Sequence, residues 1–142
     1  MAAARATLPG VRAVVVIAIG LALAFLSGSA GASDRTSLRI RYWPEGKAGP
    51  STLWTLRCAP PAGTHPRAAV ACDVLAKVGN VFAPVPKDVG CTQLYGGPQV
   101  ARVSGSFRGH LLWTQFQRRD GCEIGRWARA GAVLPAAPRG PA

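Results

Sequence analysis

The residues of this chain with the most evident chemistry are four cysteines. The chain has 142 residues, and these cysteines are Cys58, Cys72, Cys91 and Cys122. No two of them have the close pair spacing that is typical of a zinc site, so we predict no metal. Four cysteines can form two disulfides in three ways, and the pairing of next neighbours closes the shortest loops. In the chain-entropy model each such closure contributes about 3–4 kcal/mol to the stability of a small domain.

The other reactive side chains do not form a catalytic set. There are two histidines and six acidic residues in the whole chain. His65 precedes Pro66 and has no second ligand at metal spacing, so we interpret it as a residue at the start of a helix. Ser104 and Ser106 lie in a predicted strand, and we identify no residue that could act as a general base for either hydroxyl. We therefore predict a protein that is not an enzyme and that has no cofactor.

One stretch, residues 90–98, stands out as a loop whose two ends are both held. It has no helical periodicity and no continuous apolar face. Cys91 enters it, and the Gly96-Gly97-Pro98 turn leaves it. A cysteine at one end and a Gly-Gly-Pro turn at the other indicate a fixed shape. The remainder of the chain is then the scaffold that positions this loop.

The first residues are typical of a secretory signal peptide. Arg5 and Arg12 give a basic start, and residues 14–26 are an apolar run that is short for a membrane anchor. Small residues follow, and they include Ala30 and Ala32 at the two sites that a signal peptidase reads. We predict cleavage after Ala32, so residues 1–32 are a signal peptide. The mature chain is secreted and extracellular, with no membrane contact after cleavage and with oxidised cysteines.

The chain is strongly basic, with a formal net charge of +11. Its basic residues are scattered singly or in pairs rather than in one block, which favours an ordinary arginine-rich surface. The predicted secretion of the chain argues against nucleic acid as a partner. The charge leaves one alternative open, a secreted cationic module that binds the cell envelope.

The elements that must position the loop can be predicted from periodicity and turn residues. Residues 33–134 are predicted to form one domain. His65-Pro66 opens a helix whose apolar stripe runs to Val78, and Gly79 ends it. Arg108-Gly109 is predicted to be the turn of a hairpin. The predicted strands are 38–42, 53–58, 100–107, 111–116 and a last edge strand 132–134, with a helical turn at 123–127 and a frayed tail at 135–142.

Three groups of residues resemble a known family. The first group is Thr55-Leu56-Arg57-Cys58-Ala59-Pro60, Gly63-Thr64-His65-Pro66 and Ala71-Cys72. The second is Asp88-Val89-Gly90-Cys91, followed by Tyr95 and a proline, and the third is residues 103–113 followed by Cys122. Over residues 38–134 the chain is similar to the Streptomyces-type subtilisin inhibitor family.

The resemblance implies an α+β fold, a single five-stranded antiparallel sheet with two helices packed on one face. It also implies the two next-neighbour disulfides, and inhibition of secreted subtilisin-like serine proteases. The family's reactive bond lies two residues after the third cysteine, which is Gln93–Leu94 here. The protease-binding loop would then consist of the residues around that bond: Gly90, Cys91, Thr92 and Tyr95.

The sequence departs from the family pattern at several places. Gln93 stands where Met, Lys or Arg is usual, and Gly90 stands where the family often has an apolar side chain. The Gly96-Gly97-Pro98 turn is one residue longer than usual. The family forms homodimers through the outer face of its sheet, so the resemblance leaves a homodimer possible, although Arg39 and Arg41 put two charges on one face of the first strand. The alternative on the same fold is a cell-envelope binding module whose inhibitory activity is weakened or lost.

Overall fold

A computed structural model of the chain describes residues 35–136. The predicted signal peptide, residues 1–32, and residues 137–142 of the predicted tail lie outside the described residues, so the limits of the domain stay a prediction. Within 35–136, no helix combines the length and the apolar composition that a membrane span requires.

The scaffold is an antiparallel sheet with spatial order β2-β1-β3-β4. Its strands are β1 (Ser37–Trp43), β2 (Thr52–Arg57), β3 (Val100–Phe107) and β4 (His110–Phe116). All four were predicted to within one residue at each end. Arg108 and Gly109 connect β3 to β4, and both have the positive φ, 50° and 79°, that a two-residue hairpin turn requires.

Two helices follow the predicted positions, with different ends. Helix α1 (Ala68–Lys77) begins later than the sequence predicted. The His65 ring accounts for the delay, because its Nδ1 accepts a hydrogen bond from the Arg67 N–H at 3.1 Å, and its Nε2 lies 3.0 Å from the Val133 carbonyl oxygen. Helix α2 (Gly121–Arg129) is longer than the predicted turn. It starts where the Asp120 carboxylate accepts the Glu123 N–H at 2.9 Å, an N-cap.

The predicted fifth strand at residues 132–134 is wrong, and the sheet has four strands among the described residues. This segment turns after α2, because the N–H groups of Val133 and Leu134 both donate to the Ala130 carbonyl, at 2.8 and 2.9 Å. Its apolar residues are nevertheless buried, with Val133 0% and Leu134 1% exposed. The pattern therefore predicted burial correctly and secondary structure incorrectly.

Both helices contribute to a core on the inner face of the sheet. The strands supply alternate residues to it, among them Ile40, Leu56 and Val103, which are all 0% exposed. Helix α1 adds Leu75, and α2 adds Trp127. Such alternation leaves the outer face of the sheet to polar side chains and to exposed apolar ones, among them Leu53, Leu111 and Trp113.

The two disulfides join each helix to another segment. Cys58, after β2, is bonded to Cys72 of α1, with an S–S distance of 2.02 Å. Cys91 is bonded to Cys122 of α2, with a Cα–Cα distance of 5.4 Å. This is the pairing that the family resemblance implied.

Candidate functional site

The loop at residues 90–98 contains neither helix nor strand and presents its centre to solvent. Gln93 is exposed, Leu94 is 61% exposed and Tyr95 is 67% exposed. Among the described residues, no side-chain hydrogen bond involves any of these three. The centre of the loop is therefore available to a partner.

The segment before Gln93 is anchored on the first turn of α2. The Cys91–Cys122 disulfide ties it covalently. One residue further on, the Thr92 carbonyl accepts a hydrogen bond from the Gly121 N–H at 3.0 Å. Thr92 lies so close that a Cβ at position 121 would overlap its hydroxyl, so glycine at 121 permits the approach.

The segment after Leu94 is anchored on the chain that leads into α2. The Gly96 N–H donates to the Arg118 carbonyl at 2.7 Å. Gly97 then has a φ of +126°, a value that glycine adopts readily and other residues rarely do. Beneath it, the buried Gln99 accepts a hydrogen bond through Oε1 from Nη1 of Arg118 at 2.9 Å. These contacts fix the Gly96-Gly97-Pro98 turn that leaves the loop.

These anchors lie on both sides of the Gln93–Leu94 bond. On one side the Thr92 carbonyl is hydrogen-bonded, and on the other side the Gly96 N–H is hydrogen-bonded. Both bonds are made to residues near the start of α2. Breaking the peptide bond between them would therefore leave each new chain end attached to the same scaffold.

Gly90, at the start of the loop, lies in open space. A Cβ built on it would meet no atom within 4 Å. Its φ is also outside the left-handed range, since it is not among the glycines with positive φ. A larger side chain at this position would be accommodated and would point to solvent or to a partner.

Arg126 is a buried residue of α2 that sequence reasoning missed. It is only 3% exposed, and its guanidinium donates to the carbonyls of Phe82, Ala83 and Gln115 at 3.1, 2.8 and 2.7 Å. It also forms an ion pair with Glu123 at 3.3 Å. Arg126 thereby joins α2, β4 and the segment that leads into the loop. A separation of three residues on a helical turn is compatible with an ion pair between Glu123 and Arg126, but nothing in the sequence indicates that the pair is buried.

One cluster near the loop has the residue types of a metal site. The ligand atoms of Cys91, Asp120 and Cys122 lie within 4.8 Å of one another. The two sulfurs are bonded to each other, so neither is a thiolate that could bind a metal. The Asp120 carboxylate caps α2 instead.

Tyr42 is a partly buried tyrosine that packs against α2. Tyr42 packs edge-on against Trp127, with ring centroids 6.2 Å apart. Burial raises the pKa of Tyr42 above its ordinary value, and the charge of Arg118 acts in the opposite direction. The Tyr42 hydroxyl therefore stays neutral at neutral pH and adds no charge to the loop's support.

The sequence matches one family over more than half of its length. A family described as subtilisin inhibitor-like matches residues 43–118. The subtilisin inhibitor of Streptomyces violaceus is 46% identical over 65 residues, which are 42% of this chain and 44% of that protein. Subtilisin inhibitor-like protein 4 of Streptomyces lavendulae is 38% identical over 90 residues, 61% of this chain and 75% of that protein.

Two further proteins have weaker or shorter likenesses. The subtilisin inhibitor of Streptomyces albogriseolus is 42% identical over 54% of this chain, and the match spans 55% of its own length. The chain therefore spans about half the length of two of these three relatives. Among solved structures, sermetstatin of Streptomyces caespitosus, in complex with Bacillus licheniformis subtilisin, is 21% identical with a TM-score of 0.46 over 72% of this chain and 99% of that one. That likeness is too distant to carry an argument.

Proposed function

This chain belongs to the subtilisin inhibitor-like family, and we propose that it is a secreted inhibitor of subtilisin-type serine proteases. The proposed reactive bond is Gln93–Leu94. Gly90, Cys91, Thr92 and Tyr95 would complete the protease-binding loop. Members of this family inhibit proteases and are not enzymes, in agreement with the lack of a catalytic set in the sequence.

The observation that carries the proposal is the double anchoring of an exposed bond. Gln93 and Leu94 are exposed, yet the flanking residues Thr92 and Gly96 are hydrogen-bonded to the segment around the start of α2, at 3.0 and 2.7 Å. A disulfide reinforces the first of these anchors. A loop held in this way loses little conformational entropy when it binds, which favours high affinity.

The same anchors explain how such a loop would inhibit rather than be digested. A protease pairs with the extended backbone of its substrate as an added strand. Its serine then attacks the Gln93 carbonyl, and its oxyanion hole stabilises the tetrahedral intermediate. The amine of Leu94 would normally diffuse away. Here the contacts of Gly96 and Gln99 would hold it beside the acyl group, so that religation competes with hydrolysis.

Two loop residues would set the specificity. Gln93 would offer a polar, uncharged side chain to the primary specificity pocket of the enzyme. Gly90 would leave the second apolar pocket of a subtilisin empty, at a cost of about 1.5–3 kcal/mol of lost burial. We therefore expect this protein to inhibit subtilisin more weakly than a variant of the same fold with an apolar residue at position 90.

The proposal is tested by removing one disulfide at a time. The variant Cys91→Ser/Cys122→Ser releases the loop, and Cys58→Ser/Cys72→Ser is the matched control, since it removes the disulfide that lies away from the loop. We expect Cys91→Ser/Cys122→Ser to be hydrolysed at Gln93–Leu94 as an ordinary substrate. The control should unfold at a lower temperature than the wild type, and below that temperature it should still inhibit subtilisin. Equal loss of inhibition in two folded variants would contradict the role of the loop disulfide.

A further inference from the structure

The two sides of the Gln93–Leu94 bond are held in different ways. Before the bond, the Cys91–Cys122 disulfide ties the chain covalently to α2. After the bond, the chain has no cysteine before the start of β3 at Val100, so noncovalent contacts alone hold it. The side that would leave after cleavage is therefore the side with the weaker tie.

Two successive glycines make this weaker side intrinsically flexible. Gly96 and Gly97 lose more conformational freedom on folding than any other residue type would. Among the described residues, the backbone hydrogen bond of this turn is the one from the Gly96 N–H to the Arg118 carbonyl, at 2.7 Å. It fixes one point of the turn, and a second contact must fix the remainder.

Arg118 and Gln99 supply that second contact. Gln99 is 7% exposed, and its Oε1 accepts a hydrogen bond from Nη1 of Arg118 at 2.9 Å. The Gln99 side chain lies against Gly97, because a Cβ at position 97 would overlap the same Oε1. A Cβ at Gly96 would lie 3.3 Å from the Arg118 Cβ. Arg118 thus supports the turn through its carbonyl, its stem and its guanidinium.

The residue types of this pair indicate a role beyond stability. Burial of an amide costs free energy unless the amide is hydrogen-bonded, and an apolar residue of similar size at position 99 would avoid that cost. The three ion pairs of residues 35–136 do not include Arg118. Its charged donor is directed to the neutral Gln99 oxygen instead, which gives a strong, directional bond at one point of the turn.

We propose that Arg118 is a positioning residue that keeps the cleaved loop in the geometry for religation, an inference that rests on the inhibitory function proposed above. When the protease serine attacks the Gln93 carbonyl carbon, the bond to the Leu94 nitrogen breaks, and the amine leaves with a proton from the catalytic histidine. In the reverse step the Leu94 amine attacks the acyl-enzyme ester, and its proton returns through the histidine to the serine oxygen. Water that attacks the same ester instead leaves a new carboxylate at Gln93.

Only religation depends on where the amine lies. An amine held beside the ester has a high effective concentration, whereas the concentration of water does not change. In the intact loop the turn is constrained at both ends, by Cys91 and by β3, so loss of the Arg118–Gln99 contact should affect the first binding step little. In the cleaved loop the turn is constrained at the β3 end alone, and the contact then decides how far the amine can move.

The test compares variants of the pair in their reaction with subtilisin. Arg118→Met removes the guanidinium and leaves the backbone carbonyl of residue 118 in place. Gln99→Met removes the acceptor at similar size, and Gln99→Glu retains an acceptor. Arg129→Met is the matched control, since it removes the same charge from an exposed position of α2. The measurements are the initial inhibition constant, the rate of cleavage at Gln93–Leu94 by mass spectrometry, and the unfolding temperature.

We expect Arg118→Met and Gln99→Met to be hydrolysed about tenfold faster than the wild type, with initial inhibition constants that change less than about threefold. The double variant should be no faster than either single variant, because both remove the same contact. Gln99→Glu and Arg129→Met should be hydrolysed at the wild-type rate. Cleaved protein, purified with its fragments joined by Cys91–Cys122, should be religated by subtilisin to a lower yield in the two methionine variants of the pair.

The outcomes separate this inference from the function on which it rests. If the wild type inhibits subtilisin but folded Arg118→Met and Gln99→Met are hydrolysed no faster, this inference alone is wrong. If the wild type does not inhibit subtilisin, the proposed function is wrong and the inference falls with it. Equally fast hydrolysis of Cys58→Ser/Cys72→Ser, which weakens the domain away from the loop, would assign the effect to general stability and overturn the role of Arg118.

Discussion

At the scale of single residues, Gln93 and Gly90 decide what the proposed inhibitor recognises. Gln93 is exposed at the centre of a loop whose anchors do not involve its side chain. Gly90 has open space around it and no positive φ. Both positions can therefore change without disturbing the scaffold, which makes them suitable for testing specificity separately from stability.

Replacing Gln93 by lysine should create inhibition of trypsin. The ammonium group would reach the acidic floor of that enzyme's primary pocket, while the loop backbone stays unchanged. The measurement is the inhibition constant against trypsin, with Gln117→Lys as a control that adds the same charge outside the loop. No gain for Gln93→Lys over the control would mean that Gln93 is not the primary specificity residue.

Replacing Gly90 by methionine should strengthen inhibition of subtilisin. The new side chain would enter the enzyme's second apolar pocket, and the substitution would also reduce the freedom of the unfolded chain. We expect binding tighter by roughly tenfold to a hundredfold, from about 1.5–3 kcal/mol of burial.

The gain of the methionine variant should appear mainly as slower dissociation, measured by the recovery of protease activity after dilution. Thermal unfolding controls for damage to the fold. Weaker inhibition by a well-folded variant would mean that the loop does not present residue 90 to the enzyme.

At the scale of elements, α2 is the support of the loop. Its first turn carries the disulfide partner Cys122 and the Gly121 N–H, and the residue before it, Asp120, caps it. One turn later, Arg126 holds the helix against β4 and against the carbonyls of Phe82 and Ala83. The position of the loop therefore depends on a buried charge that does not touch it.

Replacing Arg126 by methionine should lower the free energy of unfolding by about 3–5 kcal/mol, because the partly buried Glu123 carboxylate and the carbonyls of Phe82, Ala83 and Gln115 lose their partner. Chemical denaturation measures this change. Arg129→Met is the matched control on the same helix, and its exposed side chain predicts an effect within about 0.5 kcal/mol. A change below about 1 kcal/mol for Arg126→Met would contradict the role assigned to this residue.

Periodicity predicted the elements well and their connections less well. Alternation of apolar and polar residues predicted β1, and the Arg108-Gly109 turn predicted the hairpin of β3 and β4. The segment ending at Leu134 was mistaken for a strand, because an apolar run indicates burial without distinguishing a turn from an extended chain. The anchoring of Thr92 and Gly96 could not be predicted, since it depends on backbone groups that have no sequence signature. Burial of Arg126 was missed because arginine is usually exposed.

At the scale of the whole molecule, two disulfides connect the helices to the remainder of a small domain. Cys58–Cys72 joins α1 to the end of β2, and Cys91–Cys122 joins the loop to α2. Peptide mapping without reduction should yield these two cross-linked species and no other. A peptide that joins Cys72 to Cys91 would contradict the scaffold.

The central claim is that one exposed bond is offered to a protease and held after cleavage. The most direct measurement is to titrate subtilisin with the purified protein, then to quench the complex after a long incubation and identify its fragments by mass spectrometry. We expect inhibition at one molecule per enzyme and a single slow cleavage at Gln93–Leu94, with the two fragments still joined through Cys91–Cys122. Rapid cleavage at several sites, or full protease activity in excess protein, would contradict it.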